Sequence, residues 1–398
     1  MSPTETAQSS SAPSRYMQGI AVPASSVNPR EFFARTRRKT QAESSKVFAG
    51  LGQQDIFELK KTDVIAGLYI RFDGTVTSTP GSGSVATTAR WPYDLIRQVR
   101  FTANGQSNII NVSGAKLKAR EFMAKGDLND RGISQSVAGS AVVNGTLSQA
   151  CESWGVGSRQ TAIAGGSYDV DLSWFVPIAE DQVDLAGAIF AATSSTDLTL
   201  TIDWASQADL FSFTGNGAAS VAGSVQLVAL RYSIPLGPDG QIVVPDLSVF
   251  HSLIQTRKSG IFSQGENEVT MVGQGAGKTL LRIYSQLWNG AGVGAPIVPN
   301  EDNLGRMAWR FGGNETPDEY PDAQVLRYIN ERMYNTDIGA VHGFWCHEFA
   351  SENAFRDVVD LGTTSEWRQL LTILPAVTPT NMALESVVES IFSAGAGS

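Results

Sequence analysis

The sequence is short of the residues that most chemistry needs. Its 398 residues include two cysteines, Cys151 and Cys346, and three histidines. Two cysteines cannot make a disulfide framework; one bridge or two inert thiols are the choices left. Charged residues make up 17% of the chain, against about a quarter in an ordinary globular protein. So low a charge, on a chain long enough for two full domains, suggests a surface covered by other chains. Long apolar runs are also missing. Stretches such as Leu185 to Ala192 fall far short of the ~20 residues a spanning helix needs. Residues 1–14 are polar and rich in Ser and Thr, with no apolar segment of a signal peptide, so synthesis in a cytosol is expected.

What is present is glycine, 39 residues of it, with Ser and Thr throughout and 42% apolar residues. That mixture suits many short strands joined by turns. The net charge of −9 is unevenly spread. Residues 1–46 carry seven basic groups against three acidic ones, a net +4 that leaves −13 for the rest. A basic arm on an acidic body implies an anionic partner for the arm or a solvated tail. An acidic body also argues against a broad nucleic-acid surface.

Along the chain, residues 1–27 read as disordered. A short helix is expected next, with Asn28 as cap, Pro29 in the first turn and Glu31 three residues after the cap. It carries Phe32 and Phe33 but no clean apolar stripe, so it is not expected to pack as a core helix. Strands follow at Ile56 to Leu59, Val64 to Val76, Val99 to Phe101 and Asn108 to Val112, with a tight turn at Asn104-Gly105. Ser113 opens a helix to about Lys125. A Gly/Ser-rich excursion spans Gly132 to Gly166. Val170, Leu172 and Trp174 alternate with polar neighbours, as do Leu198, Leu200 and Ile202. Another strand, Val225 to Ile234, ends this half. Pro235 to Gly240 stacks turn formers between two apolar runs and marks a domain boundary. Beyond it strands resume, interrupted after Pro321 by a helix whose Val325, Ile329 and Met333 recur every four residues. The stretches Val99 to Asn104 and Trp309 to Asn314 share Arg, Phe and Asn at an offset of 210 residues, each followed by one helix and further strands. The halves therefore read as a duplication.

Chemical motifs do not survive scrutiny. Gly273 to Thr279 looks like a phosphate loop, but the glycine such a loop needs five positions before the Gly of its Gly-Lys-Thr is Val272, and Leu280 to Trp288 reads as a strand where a helix should open. His342, Cys346 and His347 suggest a metal, yet on a strand His347 points away from the other two. No Gly-x-Ser-x-Gly elbow occurs. The paired acids Glu180-Asp181 and Asp318-Glu319 read as solvated turns and not as a glycosidase pair. Trp174, Trp204, Trp288, Trp309, Trp345 and Trp367 sit in strands as core residues in preference to a sugar platform. No enzyme activity, cofactor or metal is expected.

Three stretches resemble the major capsid protein of tectivirus-like phages, whose icosahedral shell surrounds an internal membrane. They are Asp94 to Val99 leading to the Asn104-Gly105 turn, Leu172 to Ile178 with Asp184 to Ala188 and Leu198 to Ile202, and Leu236 to Ile242 with Val244 to Ser248. The resemblance covers most of residues 55–398 and is weaker in the second half. It implies an all-β-dominated double jelly roll, two eight-stranded sandwiches with a few short helices. The expected division is a basic arm at 1–50, a first jelly roll at 51–236, a linker at 237–247 and a second jelly roll at 248–398. The implied role is structural: a homotrimer of pseudo-hexagonal outline, contacting neighbouring capsomers and vertex proteins in the virion capsid, with the 132–166 excursion as a candidate outer tower. Arg30, Phe32, Phe33, Arg35, Arg37, Arg38 and Lys39 are expected to face the anionic internal membrane; a clamp on an acidic neighbouring subunit is the rival. A lectin-like or receptor-binding jelly roll, such as a minor vertex protein, is the alternative function.

Overall fold

The computed structural model describes residues 29–103, 106–125, 132–136, 162–180, 185–192, 197–237, 240–271, 278–290, 295–311, 315–339, 343–350, 359–360 and 367–393. The residues before Pro29, the Asn104-Gly105 turn, most of the 132–166 excursion with Cys151, the glycine loop 273–277 and His342 lie outside them.

The chain forms two β-sandwiches whose eight main strands pair in the same order. In the first half one sheet runs Arg38–Val47, Ala218–Tyr232, Val64–Thr79, Gly166–Pro177, all antiparallel. Its facing sheet runs Gln54–Glu58, Leu198–Trp204, Ile96–Ala103, Gln106–Val112. In the second half the corresponding orders are Val249–Ser259, Ala383–Ser393, Lys278–Asn289, Phe344–Glu348 and Gly265–Met271, Trp367–Ile373, Leu304–Phe311, Glu315–Tyr320. In both halves the third strand of the first sheet carries a one-residue bulge, at Ala66 and at Leu281. Each bulged residue's carbonyl accepts a backbone N–H from just past the neighbouring strand, Ala179 at 2.8 Å and Phe349 at 2.9 Å. Bulges are built features and not accidents of pairing, so two at one place in the topology are a register mark of the duplication. The Arg-Phe pairs noted in the sequence, Arg100-Phe101 and Arg310-Phe311, fall on equivalent strands.

Alternation explains the cores. Val170, Leu172 and Trp174 turn inward with Leu200, Ile202 and Trp204 from the facing sheet, all buried. The second core centres on Trp309 and Trp367, stacked at 5.3 Å, with Ile283, Leu287 and Val388. The sandwiches are also joined. Gln106–Val112 pairs in parallel with Val249–Ser259 at Leu253 and Ile254, making one sheet of ten strands through both halves.

Three expectations need correction. Residues 38–47, assigned to the arm, form the edge strand of the first sheet; the run is too polar to read as a strand because most of its side chains are exposed. The helix Pro29–Arg35 does pack: Phe32 is fully buried and sits with Leu230, Tyr232, Val244 and Leu247. Two adjacent rings, and not a stripe, suffice to cover an apolar patch left by the sheet and the following linker. On the helix Ala323–Tyr334 the buried residues are Ala323, Leu326 and Asn330, while Ile329 and Met333 are 39% and 42% exposed. The apolar stripe seen in the sequence faces outward.

The edge strand is locked by Arg231, whose side chain is wholly buried. Its Nη2 lies 2.7 Å from Glu43 Oε1 and donates to the Lys60 carbonyl at 2.8 Å, and its Nη1 donates to the Thr62 carbonyl. Removing one partner of such a pair leaves an uncompensated buried charge. Arg231→Ala is therefore expected to cost about 3–5 kcal/mol, read as a lowered denaturant midpoint. A loss below about 1 kcal/mol, the range of surface pairs, would mean that something else holds the strand.

Candidate functional site

Cys346 and His347, two of the groups that looked reactive, are buried. Cys346 is in contact with Tyr334 Oη at 3.3 Å, and burial, with Glu348 nearby, pushes its thiol far above the ordinary range. His347 is set edge-on to Trp309 and Tyr320, each ring 5.6 Å away. Burial lowers its imidazole from 6.5 to about 3, so it is neutral. Among the described residues no three His, Cys, Asp or Glu side chains converge on a metal position. The six tryptophans singled out are all at most 3% exposed. Asp318 and Glu319 lie in a strand and not a turn, and Glu319 pairs with Arg306 at 2.7 Å.

The charged side chains that do converge lie between the sandwiches. The helix Gly114–Lys125 is inserted there. Its first residue must be glycine, because a Cβ would meet the Tyr93 carbonyl at 2.3 Å. Lys116 and Arg120, one turn apart, reach across to the strand Ala383–Ser393 of the second sandwich. Lys116 Nζ lies 2.8 Å from Glu385 Oε2 and donates to Gln286 Oε1 at 2.6 Å. Arg90 bonds Glu385 and Asp94, each at 2.8 Å, and lies over the Trp288 ring at 4.3 Å. Glu389 receives Arg120 at 2.7 Å, His251 at 2.8 Å and Arg282 at 3.1 Å. Arg282 also reaches Glu180 and Glu348, each at 3.0 Å. Glu180, expected in a solvated turn, is thus a member of a buried network.

Burial alone would raise both carboxyls. Lys116 and Arg90 outweigh it at Glu385, and Arg120, Arg282 and His251 at Glu389, so both are held well below the usual carboxylate range. Sequence reasoning missed this seam, although it left a signal. Glu385 and Glu389 are four apart in a strand-like run with Val387, Val388 and Ile391, which places two acids on one face of an otherwise apolar strand.

The arm residues divide. Phe32 is buried, and Phe33 is half-buried 5.7 Å from the Tyr232 ring, so the aromatic pair is taken up by the chain's own sandwich. Arg35 pairs with Glu31 at 3.2 Å and Lys39 with Asp63 at 3.3 Å. Arg37 and Arg38 are exposed. The Arg30 side chain lies outside the description. No described helix is long and apolar enough to cross a membrane.

The buried imidazole and the seam carboxylates make stability depend on pH in two stages. His347 has a folded pKa below its unfolded 6.5, and Glu385 and Glu389 lie below their unfolded 4.5. In each case the unfolded chain binds more protons, so stability is lost as pH falls. The melting temperature should begin to drop below about 6.5 and drop more steeply below about 4.5. His347→Phe should remove the first stage, and Glu389→Gln should lower stability at neutral pH while flattening the second. A melting temperature that stays level down to pH 4.5 would contradict the buried neutral imidazole.

The folds of several solved viral proteins match this arrangement. The STIV MCP, from Sulfolobus turreted icosahedral virus, is 14% identical with a TM-score of 0.63, over 90% of this chain and 97% of that one. The capsid of PBCV-1 gives 12% identity and 0.53 over 91% and 96%. The Faustovirus major capsid protein gives 9% and 0.54 over 89% and 90%. No curated protein matches the chain by sequence. The family model described as P3 major capsid protein N-terminal matches residues 43–232, the span that begins within the edge strand and ends with the first sandwich's last strand. Residues 43–232 thus resemble the N-terminal part of the P3 major capsid proteins, and the chain as a whole has the double jelly-roll fold of these solved viral proteins.

Proposed function

We propose that this chain is the major shell-forming subunit of an icosahedral virion with an internal membrane, assembling as a pseudo-hexameric homotrimer that contacts neighbouring capsomers and vertex proteins. The first jelly roll begins at the edge strand Arg38–Val47, the stretch from Ser233 to Ser248, which has no named strand among its described residues, is the linker, and the second begins at Val249. The observation that carries the reading is the repeat itself. Two sandwiches of one topology, fixed to each other by a shared sheet and a buried ionic seam, make a two-lobed block with a set angle between lobes. A shell subunit needs that rigidity, and a binding module does not. The carbohydrate-binding alternative draws no support from the tryptophans among the described residues, which are buried.

The membrane role falls to Arg37, Arg38 and Lys39, with Arg35 beside them. Basic groups at an anionic leaflet gain on the order of 1 kcal/mol each, screened within about 8 Å at physiological salt. Removing residues 1–46 would delete most of the edge strand Arg38–Val47, so charge reversal of Arg37 and Arg38 to Glu is the cleaner change. At low salt the intact protein should float with anionic vesicles and the variant should float several-fold less. Equal flotation of the two, or none with either, would transfer these residues to a clamp between subunits.

A further inference from the structure

The duplication predicts where the next chain sits. Within one chain, a helix of the first sandwich covers the outer face of the second sandwich's sheet. The helix Ala323–Tyr334 is its counterpart: both have 12 residues, and both follow an equivalent hairpin. Aligning their first residues sets Leu117 on Leu326, each buried at 1% in its own half. It also sets Lys116 and Arg120, the two residues that cross the intrachain seam, on Val325 and Ile329. Tyr328, Ile329 and Met333 are 61%, 39% and 42% exposed, and no described part of the chain covers them.

The receiving face can be mapped in the same way from the two bulges. With Ala66 set on Leu281, Tyr284 corresponds to Tyr69, and their cross-strand partners Val387 and Cys346 correspond to Val228 and Phe175. The second sandwich's face is buried under the helix Gly114–Lys125; the first sandwich's Tyr69, Phe175 and Val228 are only half-buried. Tyr69 and Phe175 rings touch at 4.8 Å and form an apolar patch.

We propose that the outward stripe Val325, Ile329, Met333 docks on the Tyr69, Phe175, Val228 face of a second copy of this chain, repeating the intrachain seam between copies. The inference rests on the trimer reading and adds the residues that make it. The chemistry of the two sides matches. Where the intrachain seam sets Lys116 and Arg120 against Glu385 and Glu389, the positions meeting between copies carry no charge: Val325 and Ile329 on one side, Gln226 and Leu230 on the other. An ionic seam suits two lobes that are never separated, while an apolar one suits surfaces that are solvated before they meet and gain by burial.

The test uses the full chain. At micromolar concentration in light scattering, the wild type should run at about three times the 42.5 kDa chain mass, and Ile329→Asp at one chain mass with an unchanged near-ultraviolet circular dichroism spectrum. An Ile329→Asp protein that stays at the wild-type mass overturns the seam while leaving the trimer reading intact. A wild type that is itself a single chain overturns both. Should the aspartate variant fail to fold, Val325→Cys combined with Gln226→Cys, in a Cys151→Ser background, gives a second readout. Gln226 is the counterpart of Glu385, which Lys116 contacts directly at 2.8 Å. A short bis-maleimide should then yield covalent two- and three-chain species on denaturing gels. Crosslinking confined to single chains would contradict the proposal.

Discussion

Glu385 and Glu389 have almost no contact with water, and the cations that neutralise them come largely from the other sandwich or from the strand beside them. Everything about the relative placement of the two lobes depends on this. An ion pair in a dry interior is a poor source of net stability, since desolvating both charges costs about what their attraction returns. It is an effective source of orientation. A displacement of the helix Gly114–Lys125 by one turn would part Lys116 from Glu385 and Arg120 from Glu389 in a low-dielectric seam, whereas an apolar interface could slide at little cost. The seam therefore selects one angle between lobes, and the parallel pairing at Leu253 and Ile254 makes that angle part of a continuous sheet.

A fixed angle is what a shell imposes on its subunit. Curvature and closure are set by how lobes repeat, and a flexible hinge between them would spread the subunit over many geometries. The duplication adds economy: one topology, laid down twice, presents two similar outer faces. The chain has differentiated them, with charge at Lys116, Arg120, Glu385 and Glu389 and uncharged side chains at the corresponding positions Val325, Ile329, Gln226 and Leu230. The low overall charge of the sequence is consistent with surfaces of the second kind.

Much of the architecture was legible in the sequence. Period-two alternation in Val170 to Trp174 and Leu198 to Ile202 gave the strands and their inward faces, and the Arg-Phe echo pointed to the repeat. What escaped had physical reasons. Arg38–Val47 is an edge strand with polar, exposed side chains, so it lacks an apolar signature; its one buried anchor, Glu43, pairs with an arginine 188 residues away. The stripe on Ala323–Tyr334 was visible but its direction was not, because a stripe marks apolarity and does not say which chain covers it. The seam was hidden because Lys116, Arg120, Glu385 and Glu389 each look like solvated residues until the fold sets them face to face.

Single-particle cryo-electron microscopy of the purified full chain tests the central claim most directly, since it sees lobes and their order at once. Particles should show six lobes around a threefold axis, with alternate seams formed by the helices Gly114–Lys125 and Ala323–Tyr334. Two-lobed particles, or rings in which the helix Ala323–Tyr334 faces solvent, would contradict it.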